Sequence, residues 1–181
     1  MRRHLLVGLG IALSVCSLSA ATLERLSLEE MAGKSTAIVR GKVLSSRAAF
    51  SGPVIYTRFQ IQVTERFKGP AQSSVEVVVP GGVANNLRQT FSGTPEFQTG
   101  EEYVFFLWTG KDYLTHVIGL TQGLFTLAKD HATDPTATRV ASREMMFDRT
   151  TGKVVEDQTL VMKLSELRTR IAGTLGAQKA R

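Results

Sequence analysis

The stretch that decides the fold covers residues 54–67 and reads VIYTRFQIQVTERF. From Ile55 to Val63 the odd-numbered side chains are apolar or Thr, whereas the even-numbered ones are Tyr, Arg or Gln. A side-chain period of two, kept over the whole stretch, predicts one long β-strand with one face in a core and the other in water. Strands of this length usually bend, as they do in barrels.

Five further strands are predicted around it. They cover residues 36–44, 75–79, 102–108, 113–118 and 122–127, and turn residues separate them. The segment 102–108, EYVFFLW, is apolar on both faces and is therefore expected to be a central strand. Gly41 within the first of these strands suggests a bulge or a close backbone approach. About six strands at short spacing indicate a mainly β protein, and a five- to six-stranded OB-like barrel is the expected architecture.

One helix is predicted on each side of the strands. Ser27 and Glu30 have the spacing of a capping box, so a short N-terminal helix is expected to begin there and to end at Gly33. Near the C-terminus an apolar helix face is predicted, and Gly173 and Gly176 are expected to end that helix. The face consists of Leu160, Leu164, Leu167 and Ile171.

The chain divides into three regions. They are an export signal at 1–21, an OB-like β-barrel at 22–127, and a linker, hairpin and C-terminal helix packed on the barrel at 128–181. Residues 129–139 are polar and are interpreted as the linker. A hairpin follows, with strands at 140–147 and 153–155.

The N-terminus predicts export to the periplasm or the exterior. A short basic start is followed by an apolar run over 5–16 and then by small residues, which is the layout of a secretory signal peptide. The apolar run is too short for a membrane span, so no transmembrane segment is expected in the mature chain. Cleavage between Ala21 and Thr22 is favoured. A lipid anchor at Cys16 is the less favoured alternative, because Val15 stands where a small residue is preferred.

Removal of the signal changes both the cysteine content and the charge. Cys16 is the only cysteine, so the mature chain has no disulfide, thiol nucleophile or thiolate metal ligand. Loss of Arg2 and Arg3 lowers the formal net charge from +6 to +4. Because no Lys/Arg cluster alternates with aromatic residues, nucleic acid is not an expected partner.

No constellation of residues points to catalysis. The histidines of the mature chain, His116 and His131, lie in different elements and have no metal-ligand spacing. His116 is expected to be packed within its strand and His131 to be a solvated loop residue. Nucleophile-elbow and phosphate-loop motifs are absent from the sequence. We therefore predict no catalytic residue, no metal site and no cofactor, and a function that is not enzymatic.

Two sets of residues are candidates for binding. The long polar segment 83–101, together with the turn before it, forms the first set, since long loops often carry function. Its candidate residues are Pro80, Gly81, Gly82, Asn85, Asn86 and Arg88. An ordinary turn at the end of a strand is the alternative for 80–82. The second set is a basic outer strand face that would suit an anionic polymer, although a charged outer face is also normal for a sheet. It consists of Arg40, Lys42, Arg58 and Arg66.

About half of the chain resembles the inhibitory domain of tissue inhibitors of metalloproteinases and the related netrin-like modules. The resemblance rests on ordered segments: AIVRGKVLS (37–45), IYT (55–57), IQVTERFKGP (61–70), VEVVVP (75–80) and GEEYVFFL (100–107). The pattern is also similar to uncharacterised secreted bacterial proteins. The resemblance implies a five-stranded OB-type barrel and contact with a protease.

The chain departs from that family at its N-terminus. The family's inhibitors chelate the protease zinc through the amino group and carbonyl of a mature N-terminal Cys, which disulfides brace. Here Thr22 could in principle present a free amine, but with no cysteine in the mature chain we expect nothing to brace it. The expected function is a secreted, non-enzymatic binding module that contacts or inhibits an exported metalloprotease. The alternatives are a binder of anionic polysaccharide or envelope material through the basic face, and a structural envelope protein.

Overall fold

The computed structural model describes residues 22–128 and 133–180 of the chain. The predicted signal peptide, including Cys16 and Ala21, and linker residues 129–132, including His131, lie outside the described residues. Within them the protein is mainly β with a short N-terminal helix and a longer C-terminal helix, which confirms the predicted class.

The elements follow in this order along the chain. They are β1 (Thr22–Glu24), α1 (Leu28–Lys34), β2 (Ala37–Ser51), β3 (Val54–Lys68), β4 (Ser74–Pro80), β5 (Gly82–Ala84), β6 (Leu87–Gln89), β7 (Glu102–Thr109), β8 (Thr115–Val117), β9 (Leu124–Leu127), β10 (Thr136–Arg139), β11 (Met145–Phe147), β12 (Val154–Val155), β13 (Leu160–Lys163) and α2 (Leu164–Lys179).

An eight-stranded antiparallel sheet forms the centre of the molecule. Its order is β13-β10-β9-β7-β2-β3-β4, and β8 pairs with the end of β7 beyond β9. A small sheet of order β1-β11-β12 lies apart from it, and there β1 runs parallel to β11. A third, two-stranded sheet is the hairpin β5–β6.

The closed barrel predicted from the sequence is not confirmed, because the sheets are open. Strands β4 and β8 come close to each other, and His116 Nδ1 lies 2.8 Å from the carbonyl oxygen of Val78. Among the described strands no ladder joins β4 to β8. His116 is half-buried at this seam, in agreement with the expectation of a packed histidine.

The sheet separates two hydrophobic cores. One lies on the face away from the helices and consists of Val39, Val43, Phe59, Ile61, Val77, Val79, Tyr103, Phe105, Leu107 and Val117. The other lies under the helices and includes Leu28, Met31, Ile38, Val104, Phe106, Phe125, Leu164, Leu167 and Ile171. Strand β7 contributes to both cores, as its apolar sequence predicted.

The long strand at the centre of the prediction is β3. Ile55, Phe59 and Ile61 are buried on one face, which confirms the period of two. Its partner β2 is longer than predicted because it pairs with β3 up to the turn before Val54. The register shifts next to Gly41, and a Cβ there would lie 2.5 Å from Ile61 Cγ2. The glycine therefore permits a close approach, as expected.

Helix α1 is held at both ends by side chains. Ser27 Oγ accepts a hydrogen bond from Glu30 N at 3.1 Å, and Ser27 N donates to Glu30 Oε2 at 2.8 Å, which confirms the capping box. At the other end Lys68 Nζ donates to the carbonyl oxygens of Ala32 and Gly33 at 2.8 and 2.9 Å. A cation at the C-terminal carbonyls stabilises the helix, and burial lowers the pKa of Lys68.

Helix α2 buries the predicted face but is longer than expected. Leu164, Leu167 and Ile171 are buried, whereas Leu160 belongs to β13. The helix continues through Gly173 and Gly176 to Lys179, so the prediction that they end it was wrong. The end of α2 packs on α1, where the side chain of Gln178 occupies the space in which a Cβ on Gly33 would lie. Tertiary packing outweighs the low helix propensity of glycine here.

The end of the predicted linker is strand β10, between β9 and β13 in the large sheet. Its last residue, Arg139, forms a buried ion pair with Asp157; the two side chains are 4% and 1% exposed. Arg139 donates to Asp157 Oδ1 and Oδ2 at 2.8 and 3.1 Å. Burial alone would raise the pKa of Asp157, but hydrogen bonds from Arg139 and from Ser142 N outweigh it and lower the pKa. The end of the apparent linker, residues 136–139, is therefore part of the sheet.

Candidate functional site

The segment 80–82 is a fixed turn between β4 and β5. Gly81 N donates to Ile55 O at 2.7 Å, and Thr57 Oγ1 donates to Gly81 O at 2.7 Å. Gly82 has φ = 134°, and a Cβ there would overlap Thr57 Oγ1. Only glycine fits this conformation and this space. The turn therefore sets the direction in which the chain leaves β4.

Hairpin β5–β6 follows within the segment that the sequence predicted to be a polar loop. Asn85 and Asn86 have φ of 50° and 62°, and they form the two-residue turn between the strands. Two left-handed residues in this position are the mark of a type I′ hairpin turn, which Asn tolerates well. The backbone that carries Asn85, Asn86 and Arg88 is thus a regular hairpin.

Gln89 fixes the hairpin to the end of the β2–β3 ribbon. Its Oε1 accepts from Ile55 N at 2.6 Å, and its Nε2 donates to Pro53 O at 2.9 Å. One side chain therefore joins β6 to both residues that flank Val54. The hairpin is held on the ribbon at its base, while its turn remains free of such contacts among the described residues.

Exposed apolar side chains lie along this fixed hairpin. Val83 is 50% exposed and Leu87 is 60% exposed, and Arg88, the cross-strand partner of Val83, is also exposed. Phe91, just after β6, is 42% exposed. Aromatic residues and Arg, here Phe91 and Arg88, are enriched in protein interfaces, and the apolar area of Val83 and Leu87 adds to what a partner could cover. The hairpin thus presents such groups on a rigid backbone.

The following segment bends back into the core. Phe97 packs edge-to-face on Phe59, Phe105 and Tyr103, with ring centroids 4.7, 5.4 and 5.9 Å apart. A cleft of about 500 Å³ remains between this segment, the hairpin and the end of β4. Most residues of the segment 90–97, Phe97 among them, line one wall of the cleft.

The predicted mature N-terminus lies beside this cleft wall. Ser92 Oγ donates to Glu144 Oε1 at 2.7 Å. The next residue, Met145, pairs with Thr22 in the parallel β1–β11 ladder. The expectation that nothing would brace Thr22 was therefore wrong, because strand pairing takes the place of a disulfide. Thr22 and the 90–97 wall belong to one connected part of the surface.

The four candidate basic-face residues do not form a uniformly positive surface. Arg40 pairs with Glu102 and Arg58 pairs with Glu76, each at 2.6 Å. Arg66 donates to the carbonyl oxygen of its own turn at Gly69, at 2.8 Å. Lys42 is exposed and lies opposite Gln62. Two of the four positive charges are thus matched by carboxylates on neighbouring strands.

Across residues 22–128 and 133–180, no group of three or more His, Cys, Asp or Glu side chains is arranged to hold a metal ion. Neither α1 nor α2, the helices of that part of the chain, has the length and apolar character needed to cross a membrane.

Comparison with known proteins finds no protein family whose model matches this chain and no curated protein that matches it.

Proposed function

We propose that the protein is a secreted, non-enzymatic binding module that docks on a protein partner through the hairpin β5–β6 and the adjoining cleft. An exported metalloprotease is the partner to test first. The proposal includes export through the signal at 1–21 and an OB-like arrangement of the strands.

The observation that carries the proposal is a rigid hairpin with exposed apolar residues. Gln89 and the glycine turn at 80–82 fix the backbone, and Leu87 is nevertheless 60% exposed. A surface ordered before binding loses little conformational entropy when a partner docks. Its apolar side chains are then available to bury area against that partner.

The choice of a metalloprotease rests on the family resemblance and on one feature of the structure. Thr22 is held in a strand next to the 90–97 wall, through Met145 and Glu144. Cleavage after Ala21 would place a free amine at the edge of the proposed docking surface. The chain lacks the N-terminal Cys of the family, so the hairpin and the cleft have to supply most of the contact.

The approach of β8 to β4 supports the OB-like part of the proposal. Strands β2, β3 and β4 follow one another in the sheet, β7 pairs with β2, and β8 pairs with β7. The hydrogen bond between His116 Nδ1 and Val78 O brings the two free edges together. This order of neighbours is the one a small Greek-key barrel requires.

The test is a pull-down followed by a matched variant. The chain from Thr22 onward is immobilised and exposed to the exported proteins of its host at low and high salt. We expect one protein to be retained at high salt, because apolar contacts are not screened, and that protein to be a metalloprotease whose activity the chain lowers. Leu87→Asp should abolish the retention. Val161→Asp, at a site on β13 that is 62% exposed, should not.

Other outcomes separate this proposal from the alternatives. Capture of polysaccharide alone, released by salt, would contradict the docking proposal and favour the basic face with Lys42 and Arg66. Retention of the same protein by Leu87→Asp would show that the hairpin is not the contact. The ion pairs of Arg40 and Arg58 weaken the basic face as an anion-binding surface.

A further inference from the structure

A cavity of about 450 Å³ lies between β1 and the β7–β8 hairpin, away from the docking hairpin. Its walls include Leu23, Glu24, Lys34, Trp108, Ile118 and Gly119. We propose that this cavity binds an uncharged pyranose unit of a glycan, with Trp108 as the surface on which the sugar ring stacks. The site does not depend on the proposed docking function.

Trp108 is unusual for its strand. The preceding residues Phe105, Phe106 and Leu107 are fully buried, whereas Trp108 is 47% exposed. Its ring lies over Gly110, where an added Cβ would be 3.2 Å from Trp108 Cη2. Gly110 lies against one side of the Trp108 ring, and another part of the ring is exposed at the opening of the cavity. A large aromatic side chain held in this way offers a flat apolar surface to a ligand.

A donor and an acceptor lie at the same cavity. Lys34 Nζ pairs with Glu24 Oε1 at 3.0 Å, and the two side chains are 41% and 29% exposed. Lys34 has further N–H donors, and the Glu24 carboxylate has a second oxygen that accepts. Gln122 also lines the cavity, but both polar atoms of its side chain are hydrogen-bonded to the main chain. Its Oε1 accepts from Leu26 N and its Nε2 donates to Glu24 O. Gln122 holds β1 in place and leaves ligand contacts to Lys34 and Glu24.

The combination of these groups selects the ligand class. A pyranose ring has a C–H face that stacks on an indole, and a rim of hydroxyl groups that each donate and accept. The C–H face matches Trp108, and two neighbouring hydroxyls match the Lys34–Glu24 pair. An anionic ligand would be repelled by the Glu24 carboxylate. A purely apolar ligand would desolvate the ion pair without replacing its hydrogen bonds to water. The volume falls within the range of small-molecule sites, roughly 300–1,000 Å³.

The sequence supplies a direct reporter for the test, because Trp108 is the only tryptophan of the chain. The purified protein is titrated with cellotetraose and, separately, with chitotetraose, while tryptophan emission is followed. We expect a saturable change of emission with at least one of them. No saturable change with either up to about 10 mM, a range that still includes very weak binding, would overturn the proposal.

Variants followed by calorimetry give a second readout. Trp108→Ala should abolish binding, and Trp108→Phe, which keeps a smaller ring if the alanine variant fails to fold, should weaken it. Lys34→Ala and Glu24→Gln should each weaken it about tenfold, the loss expected for one charge-assisted hydrogen bond. Tyr113→Ala removes an aromatic that is 88% exposed outside the cavity and should leave binding unchanged.

The outcomes distinguish this site from the docking hairpin. Leu87→Asp should bind the oligosaccharide as the unchanged protein does, whether or not it still retains a protein partner. Equal affinity of Trp108→Ala and the unchanged protein would place the sugar elsewhere and would contradict the assignment.

Discussion

Replacing Gln122 with methionine tests how the N-terminal segment is held to the sheet. Gln122 is 1% exposed, and its side chain makes two hydrogen bonds to the main chain. Oε1 accepts from Leu26 N at 2.8 Å and Nε2 donates to Glu24 O at 3.0 Å. The side-chain amide thus pairs with the edge of β1 and the residues that follow it, as another strand would. Methionine has a similar shape but makes neither hydrogen bond.

The size of the effect follows from burial. A typical hydrogen bond contributes about 1 kcal/mol net, but a buried partner left unsatisfied costs about 1–3 kcal/mol. Gln122→Met leaves Leu26 N and Glu24 O without their partners, so we expect the free energy of unfolding to fall by about 3 kcal/mol. For a chain of this size that corresponds to a decrease in Tm of roughly 6–12 °C.

Gln89→Met is the matched control, since Gln89 also makes two hydrogen bonds to the main chain. They lie in partly buried or exposed surroundings, so water can replace the lost partner, and we expect a loss of about 1 kcal/mol. Urea unfolding followed by circular dichroism measures both variants, and an unchanged m-value shows that only stability has changed. Equal losses for the two variants would refute the argument that burial makes Gln122 the more important residue.

Three further predictions concern the ion pair and the turn. Asp157→Ala should lower the free energy of unfolding by about 3–5 kcal/mol because it leaves Arg139 charged and buried; the double variant Arg139→Met with Asp157→Leu should recover most of this loss in the same urea titration. Because the folded pKa of Asp157 is lowered, its contribution is complete above the unfolded pKa of about 3.9 and is lost as the pH falls through the folded pKa; Asp157→Asn should therefore flatten the acid limb of a plot of stability against pH. Gly82→Ala should cost more than about 1 kcal/mol, since φ is 134° and the new Cβ overlaps Thr57; Gly52→Ala, with φ of 59° and open space around it, should cost less, and a thermal melt that ranks them the other way would contradict the packing at Gly82.

Elements with a strong local pattern were predictable from the sequence. The period of two predicted β3, the apolar run predicted β7 as a central strand, and the spacing of Ser27 and Glu30 predicted the capping box. In each case neighbouring residues supply most of the determining interactions. The open sheet was not predictable in the same way. Strands β4 and β8 approach each other through the contact between His116 and Val78, which are 38 residues apart in the sequence, and they form no ladder.

Elements defined by distant contacts were missed. Strand β10 was predicted to be part of a polar linker because its sequence, TATR, has no apolar pattern. Its pairing with two strands and the Arg139–Asp157 ion pair stabilise it as a strand. Helix α2 passes through two glycines because of its contact with α1. Within the candidate site, the residues 80–82 and the pair Asn85–Asn86 carried turn signals, but nothing in the sequence indicated that Gln89 would hold the hairpin or that Phe97 would enter the core.

The pairing of the two ends of the chain bears on when the protein can fold. Arg170 on α2 binds Glu29 on α1 across 141 residues of sequence, and Gln122 reaches Leu26 across 96. A chain that emerges N-terminus first, from a ribosome or through a translocation channel, therefore exposes β1 and α1 long before their partners arrive. Contacts of such long sequence separation slow folding. Helix α1 therefore gains the Arg170–Glu29 ion pair and its packing partner only after α2 has been synthesised, although strands β2, β3, β4 and β7 can pair before that.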